Sequence, residues 1–171
     1  MTTDVTDIGI APVRKSIVVR AAAADAFRIF TDDIDGWWPR THHIGKTPMR
    51  RVIVEPRVGG RCFTEQVDAT ECDWGTVLAW EPPSRFVFAW QVTHVWAFQA
   101  DLAQASEVEV RFTPLGPEST RVDLEHRHFE RHGAGAKAMR DGVDTPNGWN
   151  GMLQLYVDRL QSVVASTRQG E

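Results

Sequence analysis

The residues best equipped for chemistry are six histidines, two of which form the pattern His126-Arg127-His128. Alternate side chains of a strand share a face, so both imidazoles are expected to project together. An imidazole titrates near neutrality, so such a pair could take a proton from an activated carbon or give one to a carbonyl during ring closure or dehydration. Glu65 or Arg61 could orient the rings if their strand faces inward. The same spacing could supply two ligands of an open metal site, but no Cys or carboxylate stands at supporting spacing, and no metal is expected. Two hydrogen-bonded rings at a cavity rim are the plain alternative. The second chemical feature is the bias to indole: seven Trp against one Tyr. Trp37 and Trp38 are adjacent at the end of a short helical segment, and one of them is expected at a lip or on the surface, where an indole can stack on a ligand. The sequence therefore nominates Trp37, Trp38, His43, Trp74, Phe88, Trp90, His126, His128, Trp149 and Met152 as ligand-binding, with His126 and His128 as the candidates for catalysis. Core filling competes for every Trp in that set.

Other chemistries find no support. No GxGxxG precedes a helix, no phosphate loop appears and no Ser sits in a nucleophile elbow, so nucleotide use and serine hydrolysis are not expected, nor is any cofactor. The 171 residues carry 19 Lys and Arg against 23 Asp and Glu, a net charge of −4 without basic blocks. That distribution argues against binding a phosphate backbone. No apolar run approaches the roughly 20 residues that span a bilayer. The N-terminus lacks the basic start and apolar run of a secretory signal, and a cytoplasmic location is expected. Cys62 and Cys72 do not make a disulfide framework and are read as free thiols.

The elements that must position these groups are legible in the patterning. Arg14–Arg20 alternates and is rich in β-branched residues, as in a first strand, and Ala22, Ala23, Ala26, Phe27 and Phe30 then recur at helical spacing. Thr31 is placed to cap a second, short helix that Pro39 stops. Six further strands are expected at Arg51–Glu55, Arg61–Val67, Trp74–Trp80, Arg85–Val92, Glu107–Thr113 and Arg121–Phe129, separated by Gly- and Pro-containing turns. Continuing the period of the last strand puts His126 and His128 on its dry face beside Leu124. Residues 93–104 fit neither period, and their Trp96, Phe98 and Leu102 could form an apolar patch for a partner, a homodimer contact or a cavity lid. Residues 133–144 read as a connection. Thr145-Pro146 reads as a cap before a long amphipathic helix carrying Trp149, Met152, Leu153, Tyr156 and Leu160, with Gly148 and Gly151 marking close backbone approach or open space.

Strand, two helices, six strands and a long helix describe an α+β domain in which a curved antiparallel sheet grips its C-terminal helix. Residues 13–166 form that single domain, between a flexible segment 1–12 and a tail 167–171. The runs Glu55-Pro-Arg-Val-Gly-Gly-Arg61, Trp74-Gly-Thr-Val-Leu-Ala-Trp-Glu-Pro-Pro83, Arg85-Phe-Val-Phe-Ala-Trp90, Thr120-Arg-Val-Asp-Leu-Glu-His126 and Gly148-Trp149 resemble the START-like (SRPBCC) superfamily. Within it, the chain is similar to the branch named for the activator of the heat-shock-protein-90 ATPase. The resemblance spans about Val13 to Val164. It implies a helix-grip fold with a cavity between sheet and long helix, used in different members for lipids, polyketides, hormones, chaperone contact or ring-closing chemistry. Relatives commonly carry Gly after the His-Arg of the last strand, where this chain has His128, which implies a more polar lining. The expected function is binding of a small hydrophobic or aromatic molecule in that cavity. The alternatives are a polyketide-cyclase-like enzyme using His126 and His128 as acid and base, and a co-chaperone-like interaction domain; the sequence does not commit the chain to catalysis.

Overall fold

The computed structural model describes residues 10–169; most of the expected flexible segment, and residues 170–171 of the expected tail, lie outside them. Seven antiparallel strands, β1 (Val13–Val19), β2 (Met49–Val54), β3 (Arg61–Gln66), β4 (Glu71–Glu81), β5 (Arg85–Trp90), β6 (Ser106–Gly116) and β7 (Ser119–Arg127), form one sheet in the order β1-β7-β6-β5-β4-β3-β2. Six consecutive strands thus make a meander, and β1 closes its far edge against β7, pairing Val13 with His126 and Val19 with Thr120. Helix α1 (Ala23–Thr31) follows β1, α2 (Ala136–Val143) follows β7, and the long α3 (Trp149–Gln169) lies across the concave face. This is the helix-grip arrangement.

Binary patterning explains which face is inside. On β7, Thr120, Val122, Leu124 and His126 are buried, and on β6 Val108, Val110 and Phe112 join them. The opposite face carries an ion lattice, in which Glu109 is held by Arg85, Arg111 and Arg127, and Glu107 by Arg127 and Arg131. The inner face packs against α1 and α3 through Phe27, Phe30, Tyr156 and Leu160, and Tyr156 Oη donates to the Ala26 carbonyl at 2.7 Å, fixing one helix to the other.

Register shifts opposite Arg50, Trp74, Leu78 and Leu115 bend the sheet. The one at Trp74 matters most for the interior. Phe63 pairs with Asp73 and Cys62 with Gly75, so Trp74 is the extra residue of a bulge and its ring turns inward beside its neighbour's empty position. A Cβ on Gly75 would stand 2.5 Å from the Ala89 carbonyl oxygen, which only glycine avoids.

Four local expectations are corrected. Thr31 caps nothing: it is the last residue of α1, its hydroxyl donates to the Phe27 carbonyl, and the expected second helix is one 3-10 turn, Ile34–Gly36. The stretch 133–144, read as a connection, contains α2, which buries Ala136, Met139 and Val143 at three- and four-residue spacing. Thr145-Pro146 belongs to a turn, in which Gly148 N–H donates to the Thr145 carbonyl, and α3 starts only at Trp149. Finally, β7 ends at Arg127. His128 adopts φ 64°, in the left-handed region, so its half-exposed ring leaves the dry face and faces Glu130 instead. A backbone of that kind favours glycine, and the lining gains no polarity from His128. Gly148 and Gly151 do mark close approach, since a Cβ on either would lie within 2.2 Å of the Val143 or Pro146 carbonyl oxygen.

Candidate functional site

A cavity of about 430 Å³ opens at the corner where the inner ends of β4 and β5 meet the segment 38–44. Its wall is largely indole. Trp38 stacks on Trp74 at 5.0 Å with planes 21° apart, Trp90 stands edge-on to Trp74 at 6.3 Å, and Trp96 completes the wall from the loop 93–97. His42, His43 and Asn147 supply polar atoms, and Ile44 and Val92 further apolar surface. The bulge at Trp74 presents the first of these rings, and Trp90 is the last residue of β5, so both sit where the curled sheet runs out beneath a ceiling. Asn147 precedes α3, but no described residue of α3 lines the cavity; the space lies beside the head of the gripping helix rather than along it.

Hydrogen bonds fix the chemistry of the wall. Trp38 Nε1 donates to the His42 carbonyl at 2.9 Å, which holds the loop against the ring. Nε2 of His42 lies 2.6 Å from the Asn147 carbonyl oxygen and must carry a proton to donate to it, so its Nδ1 accepts from the Thr41 hydroxyl at 3.1 Å. His43 has the opposite polarity. Its Nδ1 lies 3.0 Å from the Gly45 carbonyl oxygen and therefore carries the proton. The Gln66 amide nitrogen, which donates one proton to the Thr47 carbonyl at 2.6 Å, stands farther off at 3.4 Å, so the shorter Gly45 contact decides the tautomer. In the neutral ring Nε2 is then the acceptor nitrogen, with no hydrogen bond to a described residue. Two donors are also unmatched: Trp74 and Trp90 are 5% and 6% exposed, and the Nε1 of each is buried without a hydrogen-bond partner.

His126 lies behind this wall. It is fully buried, with its ring centroid 5.3 Å from Trp90 and 4.4 Å from Phe129. Trp149 Nε1, which can only donate, points at His126 Nδ1 from 3.1 Å, so the proton of the neutral ring is on Nε2 and is given to Ser106 Oγ at 2.8 Å. Ser106 passes its own proton to His132 Nε2, also at 2.8 Å. Burial, and then the charge of His132, pushes the His126 pKa well down; burial and the charge of His94 lower that of His132. With both ring nitrogens committed, His126 braces Trp149 and Trp90. Glu65 and Arg61 do not orient it, being paired with Arg51 and Asp73 on strands remote from β7.

Of the ten nominated residues, Trp38, His43, Trp74 and Trp90 meet in the cavity wall. Trp37, Phe88, His126, Trp149 and Met152 are buried core behind it, and His128 lies outside. Of the adjacent indoles, the one expected at a lip or on the surface is Trp38, which borders the cavity and faces Trp74, while the 3-10 turn points Trp37 at Phe30 and Tyr156; both are at most 6% exposed. Trp96 is half exposed and lines the cavity, and Val95, Phe98 and Leu102 of the same stretch are exposed as well. Thr41 and Asn147 were not anticipated. Nothing in their spacing signals them, since a polar residue in a loop is ordinary; His42 was visible only as the neighbour of His43. Among the described residues, no group of three His, Cys, Asp or Glu is placed to hold a metal, and no helix is long and apolar enough to cross a membrane.

Comparison with known proteins places this geometry. No curated protein matches the sequence. Among solved structures, the anthrahydroquino-gamma-pyrone synthase Txn09 is 36% identical, with 88% of this chain and 97% of that one covered and a TM-score of 0.63. The self-sacrificing resistance protein CalC of Micromonospora echinospora is 26% identical over 88% of this chain and 94% of its own, with a TM-score of 0.62. Protein NE0264 of Nitrosomonas europaea shares the fold, at 12% identity and a TM-score of 0.61, with 88% and 94% of the two chains covered. The family model for activator of Hsp90 ATPase homolog 1-like proteins matches residues 20–164, and the chain belongs to that family.

Proposed function

We propose that this protein binds a small, flat aromatic molecule in the indole-walled cavity. The observation that carries the reading is the wall itself: Trp38, Trp74, Trp90 and Trp96 surround about 430 Å³, a volume typical of small-molecule sites. Packing alone would fill such a space, whereas these rings border it. Stacked and edge-on indoles offer a ring both a face and an edge, which suits a fused aromatic system better than a flexible chain. The 36% identity to an anthrahydroquino-gamma-pyrone synthase supports a ligand of the aromatic polyketide class.

That same likeness favours a second reading, ring-closing chemistry on the bound molecule. The acid–base role then moves from His126 and His128 to His43, whose Nε2 is the acceptor nitrogen of the neutral tautomer on a ring lining the cavity. One experiment addresses both. The purified protein is incubated with a panel of fused aromatic ketones and phenols, its melting temperature is read, and the small molecules are recovered for mass analysis. A ligand at a hundredfold excess over its Kd stabilises the fold by about 2.7 kcal/mol, a rise of roughly 5–10 °C for a domain of this size. An unmoved melting temperature across the panel contradicts binding. Recovery of every ligand unchanged from wild type contradicts ring closure.

A further inference from the structure

The hydrogen-bond chain behind the cavity wall has a direction, and its outer end is ionisable. We infer that acid switches the aromatic site: protonation of His132 reverses the chain through Ser106 and His126, detaches Trp149 from His126 and loosens the Trp38 and Trp90 rings against which Trp149 packs. This rests on the reading of the cavity as an aromatic site and names how that site is regulated.

Polarity carries the argument. Trp149 Nε1 can only donate, so His126 accepts on Nδ1 and donates from Nε2 to Ser106 Oγ, which leaves the Ser106 proton for His132 Nε2. His126 and Ser106 are fully buried, so no water replaces a bond lost between them. A proton gained by His132 Nε2 turns that nitrogen from acceptor to donor. Ser106 then meets two N–H groups and has no acceptor for its own proton, unless His126 changes tautomer, accepting on Nε2 and holding its proton on Nδ1. The new tautomer satisfies Ser106 but sets two donors, His126 Nδ1–H and Trp149 Nε1–H, against each other. Trp149 is the member that can yield, because its ring packs 5.9 Å from Trp90 and 6.5 Å from Trp38, and both of those border open volume.

His132 is placed to receive the proton. Half-buried on the 3-10 segment Phe129–Gly135, it faces Ser106 of β6, His126 of β7 and His94 of the loop after β5, whose ring fills the space over Gly135, with Glu130 on its own segment. The other charges packed around the segment are paired: Arg131 with Glu107, Lys137 with Asp141 and Arg140 with Asp144. The turn Leu102–Gln104, which also packs there, brings no ionisable side chain. Burial and then the charge of His94 lower the His132 pKa, with Glu130 opposing them, so the chain keeps its neutral polarity at neutral pH and reverses in acid, below the ordinary imidazole value near 6.5.

Two readouts test the inference: the indole N–H resonances of uniformly 15N-labelled protein, and the affinity for anthraquinone, a flat probe that does not titrate, read by Trp fluorescence. Between about pH 7.5 and 5.5 the Trp149 resonance should move with the midpoint of the His132 ring, and anthraquinone should bind roughly three- to tenfold more weakly at the lower pH, the worth of one net hydrogen bond. By linkage, saturating anthraquinone should lower that midpoint by roughly 0.5–1 pH unit. Two exposed variants should move it in opposite directions: His94→Gln, which removes a neighbouring positive charge, upward, and Glu130→Gln, which removes the anion, downward. In His132→Gln the resonance and the affinity should both hold constant across the range. A Trp149 resonance that stays still while His132 titrates, or equal affinity at the two pH values, overturns the inference and leaves the aromatic site standing. If anthraquinone binds at neither pH, the aromatic site falls and its regulation with it.

Discussion

At the scale of single residues, the molecule separates histidines that look alike in sequence. His126 is sealed, with Trp149 and Ser106 using both nitrogens, whereas His43 keeps one nitrogen open on the cavity wall. The burial of His126 has a thermodynamic signature. Its folded pKa is lowered by desolvation and then by the charge of His132, so the unfolded chain binds a proton that the native ring refuses. Stability is therefore whole above the unfolded value near 6.5 and is lost as pH falls below it, toward the folded pKa, at up to roughly 1.4 kcal/mol per pH unit for one proton. Urea midpoints measured between pH 7.5 and 5 should fall in wild type and fall less in His126→Gln, which removes the titration. Equal slopes in the two proteins would show that His126 does not stay neutral. The alternation of β7 made the burial of His126 readable from sequence, since Val122 and Leu124 share its face. It could not reveal that the strand stops one residue before His128, because the left-handed φ there is a backbone choice that a histidine does not advertise.

At the scale of elements, the site depends on one bulge and one helix start. The bulge at Trp74 turns its ring inward and rests on Gly75 having no side chain. In Gly75→Ala, the new Cβ meets the Ala89 carbonyl and Cys62, so the strands must part or the bulge must slide. The expected cost is about 1–3 kcal/mol, as for other overpacked core positions, with a change in Trp fluorescence as Trp74 and Trp38 unstack. Unchanged stability and spectrum would mean that the bulge does not hold the ring. All seven strands, α1 and α3 were legible because their apolar positions repeat over five or more residues. Helix α2 was less so. Its stripe of Ala136, Met139 and Val143 is only two turns long, has Gly135 rather than a side chain as its cap, and follows a Gly-Ala-Gly run that reads as loop. The bulge itself left one trace, a glycine directly after a tryptophan inside an otherwise continuous strand pattern.

At the scale of the whole molecule, the two faces of the sheet have different tasks. The outer face is an ion lattice centred on Glu107 and Glu109; burial alone would raise their pKa values, but the hydrogen bonds and charges of the surrounding arginines hold both below the usual carboxylate range. The inner face is a dry aromatic core over most of its length, closed by α1 and α3, and at the corner before α3 it opens into the indole-walled cavity. Membership of the activator of Hsp90 ATPase homolog 1-like family accounts for the frame, and the residues at that corner carry the proposed binding site. The most direct test is a fluorescence titration of wild-type protein with 2-hydroxyanthraquinone beside the Trp38→Ala variant, which removes the stacked ring of the wall. The account predicts a saturable quench at one ligand per chain in wild type and a markedly weaker one in the variant; a quench that grows linearly with ligand and is the same in both would contradict it.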